Sequence, residues 1–478
     1  MKLDNLTIEL AHRGLVKKEF SAVELTKFYL DKIKKENKRL NAFLEITDKL
    51  ALEQAEKVDN KIKRREKIGE IEGIPIAIKD NILVEDYKCT AGSKILENYI
   101  ATYDATVIKK LKQSGAVILG KTNLDEFGMG SSTENSAFGV VKNPIDETRV
   151  PGGSSGGSAV AVAADLCLAA LGSDTGGSVR QPASFCGVVG FKPSYGMVSR
   201  YGLIAMASSL DQVGAIAKNV EDAKVLFDTI KGKDEMDSTT IQEAEYRQHK
   251  IGYENLRIGI LKECFSEGLD REAKEKIEKS IKNFEKVGAA LEEVSVPHID
   301  DGLAVYYIIM PAEVSANLAR YDGIKYGFAA RNKKQETKNN LLDSYLKTRA
   351  QGLGEEVRRR IMLGTYSLSA GYRDAYYGKA QKVRALIKKE FDNIFKRVDI
   401  LLAPTTPTPA FKIGEKEDPL SMYLSDIYTV PINLAGLPAI SIPIDKVGNL
   451  PIGLQIIGPQ FYDELVFETA QIYGQLSE

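Results

Sequence analysis

The chain has 478 residues, a formal net charge of −1 and 43% hydrophobic residues, which is an ordinary globular composition. Its length alone suggests two or three domains, because a single core rarely grows beyond about 300 residues. The near-neutral charge excludes a general attraction to nucleic acid, and we find no run of about 20 apolar residues to span a bilayer. We therefore expect a cytoplasmic protein.

The four cysteines show no CxxC spacing and lie mostly in apolar surroundings. Such cysteines are typical of small buried side chains in a reducing compartment and not of disulfides or metal ligands. We therefore expect no metal on this chain. The cysteines are Cys89, Cys167, Cys186 and Cys264.

The N-terminal region is predicted to begin with an amphipathic helix behind a capping box at 21–24, where Ser21 and Glu24 stand three residues apart. A second, charged helix is predicted from about Asp48 to Arg65. The apolar run 74–78 then indicates a buried strand that ends at Lys79.

The next segments alternate helix and strand patterns. Asp104 is interpreted as the cap of a helix that Gly115 closes, followed by a buried strand over 116–119. The small residues of 158–164 predict a helix, and 166–171 predicts a small apolar strand.

The second half of the chain includes a β-α-β pattern that favours parallel strand pairing. From about Asp301 to Arg397 the strand signals vanish, and we interpret this stretch as a helical insertion able to cover a site. The remaining predicted elements are a helix over 220–230, the β-α-β unit over 256–296, strands over 398–402, 439–444 and 450–457, and a terminal helix over 463–473.

Two glycine- and serine-rich runs, 151–158 and 172–178, carry the strongest chemical signal. A serine hydroxyl is a poor nucleophile without an adjacent base and a prepared place for the oxyanion. Histidine is the usual base, but none of the three histidines lies near either run. A triad with histidine could still assemble through the fold, because its partners are neighbours in space.

Lys79 is the alternative base. A lysine acts as a base only when burial and nearby dipoles lower its pKa from about 10.4 by several units. Because Lys79 ends an apolar strand, its amine would emerge at a strand end, where open α/β sheets place their sites. Taken alone, a solvated lysine beyond a strand explains the same residue.

The second run is interpreted as a tight turn, 174–177, before a short helix. Its glycines let the backbone approach a ligand closely, and the free N–H groups at a helix start favour negative charge. Ser178 would then stand beside an oxyanion hole formed by the N–H groups of Thr175, Gly176 and Gly177.

The two runs also allow roles without catalysis. Ser154 could simply cap the helix that follows it, which is a common use of serine. Glycine-rich turns also bind phosphates, but neither run has the Gly-Lys-Ser/Thr ending of a P-loop or the spaced glycines of a dinucleotide site. We therefore do not expect nucleotide binding on this chain.

The segment 152–182 resembles the amidase signature family, which hydrolyses carboxamides with a serine, a bridging serine and a lysine. The resemblance implies that Ser178 is the nucleophile, that Ser154 is the bridging serine beside a cis peptide, and that Lys79 is the base. It also implies one large α/β/α domain over residues 1–478 around a mixed central sheet, with the helical insertion at about 301–397 inside it.

Further segments are similar to those family members that hydrolyse glutamine within tRNA-dependent amidotransferases. That resemblance assigns Arg360 and Asp426 to glutamine binding, with Tyr307 as a further contact; each could instead form a structural ion pair or core contact. The segments are 124–134, 321–327, 359–366 and 431–438.

The same resemblance implies partners. Ammonia released from glutamine would serve a B subunit that activates Glu-tRNA(Gln) with ATP and Mg²⁺, while a small C subunit braces the heterotrimer and tRNA binds mainly to the B subunit. No cofactor is expected on this chain, and the sequence leaves open whether Asp-tRNA(Asn) is also served. The alternatives are a free-standing amidase for a small or aryl carboxamide, and a silent scaffold for an RNA-binding partner.

Overall fold

The computed structural model describes residues 3–242, 246–247, 256–330 and 341–477, and within them eleven strands form one sheet. The single α/β fold around a mixed sheet agrees with the prediction. The strands are β1 (Phe43–Ile46), β2 (Pro75–Lys79), β3 (Val117–Thr122), β4 (Ala169–Asp174), β5 (Val189–Lys192), β6 (Gln212–Ala217), β7 (Arg257–Leu261), β8 (Ala290–Val294), β9 (Ile400–Pro404), β10 (Ala439–Val447) and β11 (Leu450–Ile457).

Helices cover both faces of this sheet, and one of its ends carries a separate helical layer. Fifteen α-helices lie within the described ranges. They are α1 (Ile8–Lys17), α2 (Ala22–Leu40), α3 (Asp48–Lys63), α4 (Thr106–Gln113), α5 (Gly156–Ala163), α6 (Arg180–Cys186), α7 (Val220–Ile230), α8 (Arg271–Lys282), α9 (Gly302–Asn317), α10 (Leu341–Gly352), α11 (Glu355–Leu368), α12 (Lys379–Ile394), α13 (Pro419–Tyr423), α14 (Val430–Leu434) and α15 (Asp463–Ser477).

The sheet order is β1-β3-β2-β4-β6-β5-β10-β11-β9-β7-β8. Strands β3, β2 and β4 are parallel neighbours, as are β9, β7 and β8, and every other pair is antiparallel. Because β2 and β4 are parallel, their carboxyl ends meet at one edge, where α/β sheets hold their sites. Lys79 and Asp174 end these two strands.

Two large apolar clusters fill the protein. The first packs the sheet against α2, α3, α4, α7 and α15. The second lies between the β7–β9 end of the sheet and helices α9, α11 and α12. All four cysteines are buried free thiols, as their surroundings predicted.

Several predicted elements are confirmed. Helix α2 begins behind the capping box of Ser21 and Glu24, with both of its hydrogen bonds present. Strand β2 ends at Lys79, helix α7 has the predicted bounds, and β7 pairs with β8 in parallel.

Two predictions about local structure are wrong. Asp104 does not cap α4. Its carboxylate accepts from Lys112 Nζ at 2.7 and 2.8 Å and from the N–H of Glu85 at 2.9 Å. These partners occupy the carboxylate oxygens in place of the first N–H groups of the helix. Strand β4 begins at Ala169 and not at Leu166, because the buried residues before it form a turn. Six elements were not predicted: α1, β1, β5, β6, α13 and α14.

Within the described part of 301–397 the regular elements are helices, among them α9 to α12, and no strand is present there. Residues 331–340 lie outside the described residues, and the bounds of the insertion stay a prediction. Gly302–Arg320 is long and apolar enough to cross a membrane by length and composition, so the expectation that no such segment exists is wrong. Half of it is buried, and α9 packs on α11 and α12, as a core helix does.

Candidate active site

Lys79 is the centre of a buried polar cluster at the end of β2. Its side chain is fully buried, and its Nζ lies 2.8 Å from Ser154 Oγ, 2.8 Å from Ser155 Oγ and 2.9 Å from Ser173 Oγ. The carbonyl of Ser173 is 3.3 Å from the same nitrogen. The lysine is therefore surrounded by hydroxyl groups, and among the described residues its amine makes no ion pair.

The directions of these hydrogen bonds can be assigned. Ser155 Oγ must donate to the Ser173 carbonyl at 3.1 Å, since a carbonyl only accepts, so it accepts from Lys79. Ser173 Oγ already accepts from Asn81 Nδ2 at 2.9 Å and has a second lone pair for Lys79. The Oγ and the carbonyl of Ser173 can share the second N–H of a neutral amine, which leaves the lone pair of the amine to accept the proton of Ser154.

Burial lowers the pKa of Lys79 to about 7, although the charges of Asp125, Asp174 and Asp211 partly offset the effect. Lys121, in the adjacent strand β3, is equally buried, but Asp80 lies 2.8 Å from its Nζ. Burial opposes the charge of Lys121 too, yet the Asp80 carboxylate outweighs it and the pKa is raised. Direct contact with a carboxylate thus accounts for the opposite pKa shifts of these two lysines.

The three predicted catalytic residues come together in the structure. The Gly153–Ser154 peptide bond is cis, as the family resemblance implied. The N–H of Ser155 donates to the carbonyl of Ser178 at 3.1 Å, which puts the two serine-containing segments in contact. Ser178 is 8% exposed, and its hydroxyl bonds to no other described residue, so it is free to meet a substrate. Ser154 is not a helix cap, because α5 begins after Ser155.

A buried ion pair between Asp174 and Arg180 holds the turn 174–177 before Ser178. Arg180 donates to both oxygens of Asp174, through Nε at 3.1 Å and Nη2 at 3.0 Å. The same carboxylate accepts from the N–H groups of Gly177 at 2.8 Å and Val179 at 3.1 Å, and from Asn433 Nδ2 at 2.9 Å. Burial opposes ionisation of Asp174, but the Arg180 guanidinium holds its pKa well below the usual range. These hydrogen bonds hold the backbone of the turn before Ser178 in place.

The backbone of this turn supplies candidate oxyanion donors. Gly177 was predicted to contribute, but its N–H is already donated to Asp174, which contradicts a free donor there. The N–H groups of Thr175, Gly176 and Ser178 donate to no other residue that the structure describes. They are the available donors for a developing oxyanion beside Ser178.

Arg360 lies in α11 and is only 2% exposed. Its guanidinium is 5.2 Å from the ring centre of Tyr307 and 5.4 Å from that of Tyr423, and its Nε donates to Glu356 Oε1 at 2.7 Å. Among the described residues, Nη1 has one hydrogen-bond partner, the sulfur of Met310 at 3.7 Å. The guanidinium therefore keeps donors for a ligand.

One carboxylate oxygen of Asp426, Oδ1, faces the nucleophile turn, which is the turn 174–177 before Ser178. Its Oδ2 accepts from Ser131 Oγ, whereas its buried Oδ1 has no hydrogen-bond partner among the described residues. A Cβ at Gly177 would lie 3.4 Å from that oxygen, so Oδ1 faces the turn. Burial raises the pKa of Asp426 to about 7, against the opposing effects of Ser131 and Arg360. A cationic group beside Oδ1 would satisfy it.

The two neighbouring tyrosines differ in position. A Cβ at Gly176 would lie 2.9 Å from the Tyr306 hydroxyl, so Tyr306 reaches the nucleophile turn. Tyr307 instead stacks on Tyr423 with ring centres 3.9 Å apart, beside Arg360. The geometry favours Tyr306 as the substrate contact and Tyr307 as a support for Arg360, while the predicted Tyr307 contact stays untested.

The sequence did not identify all of these residues. Ser155 and Ser173 lie in the two glycine- and serine-rich runs, but the sequence did not show which serines of these runs contact Lys79. Tyr306 was next to the predicted Tyr307, and Asn81 and Ser131 had no separate signal. Neither His12, on the carbonyl of Ile68, nor His298, on Glu390, contacts the catalytic serines. His249 lies outside the described residues.

Residues 24–467 match the family model described as Amidase, and the chain belongs to this family. It is 55% identical to the A subunit of the glutamyl-tRNA(Gln) amidotransferase of Gloeothece citriformis, over 99% of this chain and 98% of that protein. With the corresponding protein of Microcystis aeruginosa the identity is 54%, over 99% and 98%. The solved structure of the Thermotoga maritima counterpart is 44% identical with a TM-score of 0.78, covering 98% of this chain and 94% of that one.

The lowered pKa of Lys79 predicts a pH-dependent reactivity of Ser178. With a pKa near 7, about one lysine in ten is neutral at pH 6 and about nine in ten at pH 8. We expect the rate at which phenylmethanesulfonyl fluoride labels Ser178 to rise about tenfold over this range, because the neutral amine is the base. The reagent carries no charge, so Asp426 and Arg360 do not contribute to the profile.

Lys79→Arg is the matched variant, since a guanidinium cannot be deprotonated in proteins. It should lower the labelling rate by about a thousandfold or more and leave a rate without the rise near pH 7. Ser178→Ala is the control and should take no label at the active site. Labelling of Lys79→Arg that keeps the wild-type pH profile would show that another group is the base.

Proposed function

We propose that this chain is the glutamine-hydrolysing subunit of a tRNA-dependent amidotransferase. The observation that carries the proposal is a buried pair of opposite charges next to the nucleophile turn, Arg360 with spare donors and Asp426 with an unpartnered oxygen. Glutamine is a zwitterion whose α-carboxylate and α-ammonium match these two groups. The relatives named above support the same conclusion.

The chemical steps of this proposal use the hydrogen bonds around Lys79. Ser154 hands its proton to the Lys79 amine and takes the proton of Ser178, whose Oγ attacks the side-chain amide carbon of glutamine. The N–H groups of Thr175, Gly176 and Ser178 stabilise the oxyanion. Lys79, now protonated, returns the proton through Ser154 to the leaving nitrogen, and ammonia departs. Water then attacks the ester on Ser178 by the same relay and releases glutamate.

Ammonia is the product that matters to the partners. In this proposal a B subunit uses ATP and Mg²⁺ to activate Glu-tRNA(Gln) and accepts the ammonia, and a small C subunit braces the heterotrimer in the cytoplasm. We place ATP and Mg²⁺ on the B subunit, which also makes most contacts to tRNA. The near-neutral charge of this chain is consistent with that division.

Asp426→Asn tests the zwitterion pocket. The asparagine keeps the shape and an acceptor for Ser131 but loses the anion that would pair with the α-ammonium. We expect the KM for glutamine to rise roughly tenfold to a hundredfold, with little change in kcat/KM for butyramide, which lacks both charges. Steady-state hydrolysis of both amides by the assembled complex measures the difference.

The pH dependence of glutamine binding is a second test with Asp426→Asn. Because the carboxylate form of Asp426 binds the ammonium and its pKa is about 7, the affinity for glutamine should fall as the pH drops below 7. Asp426→Asn should lose this dependence and keep the one that Lys79 imposes on both substrates. Equal losses on glutamine and butyramide would reject the assignment of Asp426.

Ser178→Ala tests the transfer of ammonia. The variant complex should fail with glutamine as donor, because no other group replaces the nucleophile. It should still convert Glu-tRNA(Gln) to Gln-tRNA(Gln) when ammonium salt is supplied at high concentration, since the partner's chemistry is intact. Aminoacylation analysis of the tRNA with each donor separates these results.

The isolated chain is the control for the alternative of a free-standing amidase. An amidotransferase subunit should hydrolyse glutamine slowly without its partners, because idle hydrolysis would waste glutamine. Full-rate hydrolysis of glutamine or of an aryl amide by the chain alone would contradict the amidotransferase role and support a free-standing amidase.

A further inference from the structure

Glu126 is a buried carboxylate that takes no part in the steps above. It is 3% exposed, and both of its oxygens are hydrogen-bonded: Oε1 accepts from Ser93 Oγ, and Oε2 accepts from the N–H of Gly354 at 2.8 Å. Gly354 directly precedes α11 and has no side chain to cap that helix. A carboxylate from a distant part of the chain therefore holds the start of α11.

The fit between these two residues is close. A Cβ at Gly354 would lie 2.3 Å from Glu126 Oε2, so any side chain there would push the carboxylate away. Ser93 Oγ also lies 3.3 Å from the carbonyl of Gly352, at the end of α10. Glu126 and Ser93 thus fasten the corner between α10 and α11 to the body of the protein.

Both residues of the Glu126–Gly354 contact lie next to residues of the active site. On one side, α11 carries Arg360 about one and a half turns further on, and Glu356 of the first turn holds the Arg360 Nε. On the other side, the neighbouring Asp125 donates its N–H to the carbonyl of Ser154 at 3.3 Å. The Glu126–Gly354 hydrogen bond thus connects the segment that contacts Ser154 to the helix that carries Arg360.

We propose that Glu126 is a positioning residue for substrate binding, which fixes Arg360 relative to Ser178 by holding the start of α11. This inference rests on the proposed function, because it takes the α-carboxylate of glutamine as the group that Arg360 binds. A small displacement of a binding group costs a large part of its effect, whereas the Lys79 relay does not depend on α11. Loss of the contact should therefore weaken glutamine binding and spare the nucleophile.

Three variants of the assembled complex test the role. Glu126→Ala removes the link, and Gly354→Ala displaces it from the other side without changing the carboxylate. Glu126→Gln keeps it, since the amide oxygen accepts from Gly354 and the amide nitrogen can donate to Ser93. The measurements are the KM and kcat for glutamine and the rate at which phenylmethanesulfonyl fluoride labels Ser178.

For Glu126→Ala and Gly354→Ala we expect the KM for glutamine to rise about tenfold or more, with kcat and the labelling rate within about twofold of wild type. Glu126→Gln should restore the wild-type KM. If Glu126→Ala does not fold, Gly354→Ala and Glu126→Gln still decide the question.

Two results would overturn the proposal: an unchanged KM in Glu126→Ala or Gly354→Ala, or a rise in KM matched by an equal loss of Ser178 labelling. The second result would mean that Glu126 supports the whole fold and not substrate binding. A wild-type complex that does not hydrolyse glutamine contradicts the proposed function itself, so the two failures are distinguishable.

Discussion

The rest of the active site depends on one constraint, a lysine amine buried without a carboxylate in contact. An amine is a base only when neutral, and it is neutral near pH 7 only when burial outweighs the charges around it. Lys79 and Lys121 show the two outcomes on adjacent strands at the same depth, with pKa values shifted in opposite directions. The hydroxyl groups of Ser154, Ser155 and Ser173 satisfy the Lys79 amine without fixing a proton on it.

The Asp174–Arg180 pair is the second buried charged group of the site. Asp174 lies near Lys79 and its charge raises the lysine pKa, as do the charges of Asp125 and Asp211, but burial outweighs them. Arg180 takes both oxygens of Asp174, and the remaining lone pairs accept N–H groups of the nucleophile turn and Asn433. The buried pair therefore has two effects: Arg180 neutralises one of the anions that act on Lys79, and Asp174 holds the backbone of the turn beside Ser178.

The sequence predicted what is encoded in contiguous residues. The strand before Lys79 belongs to this class, because local hydrophobic patterning carries its signal. The roles of Ser154 and Ser178 were assigned from the resemblance of the two runs to the family and stay a prediction. The contacts of Lys79 with Ser173 depend on the parallel register of β2 and β4, in which Ile78 pairs with Leu171, and no local pattern fixes that register. Strands β5 and β6 were missed for a related reason, since short apolar stretches between turns become strands only through their neighbours. The prediction that Asp104 caps α4 is wrong because Lys112 binds the Asp104 carboxylate.

The two buried charges beside the nucleophile are themselves an argument about the substrate. Burying a carboxylate oxygen without a partner and a guanidinium with spare donors costs free energy, and mutual attraction repays it only with good geometry. An amidase for neutral amides would gain nothing from keeping both charges beside its nucleophile. A zwitterionic amide would offer an ammonium to Asp426 and a carboxylate to Arg360, and would so satisfy both groups in one binding event. Burial raises the pKa of Asp426 to about 7, and a cation beside Oδ1 would oppose that effect.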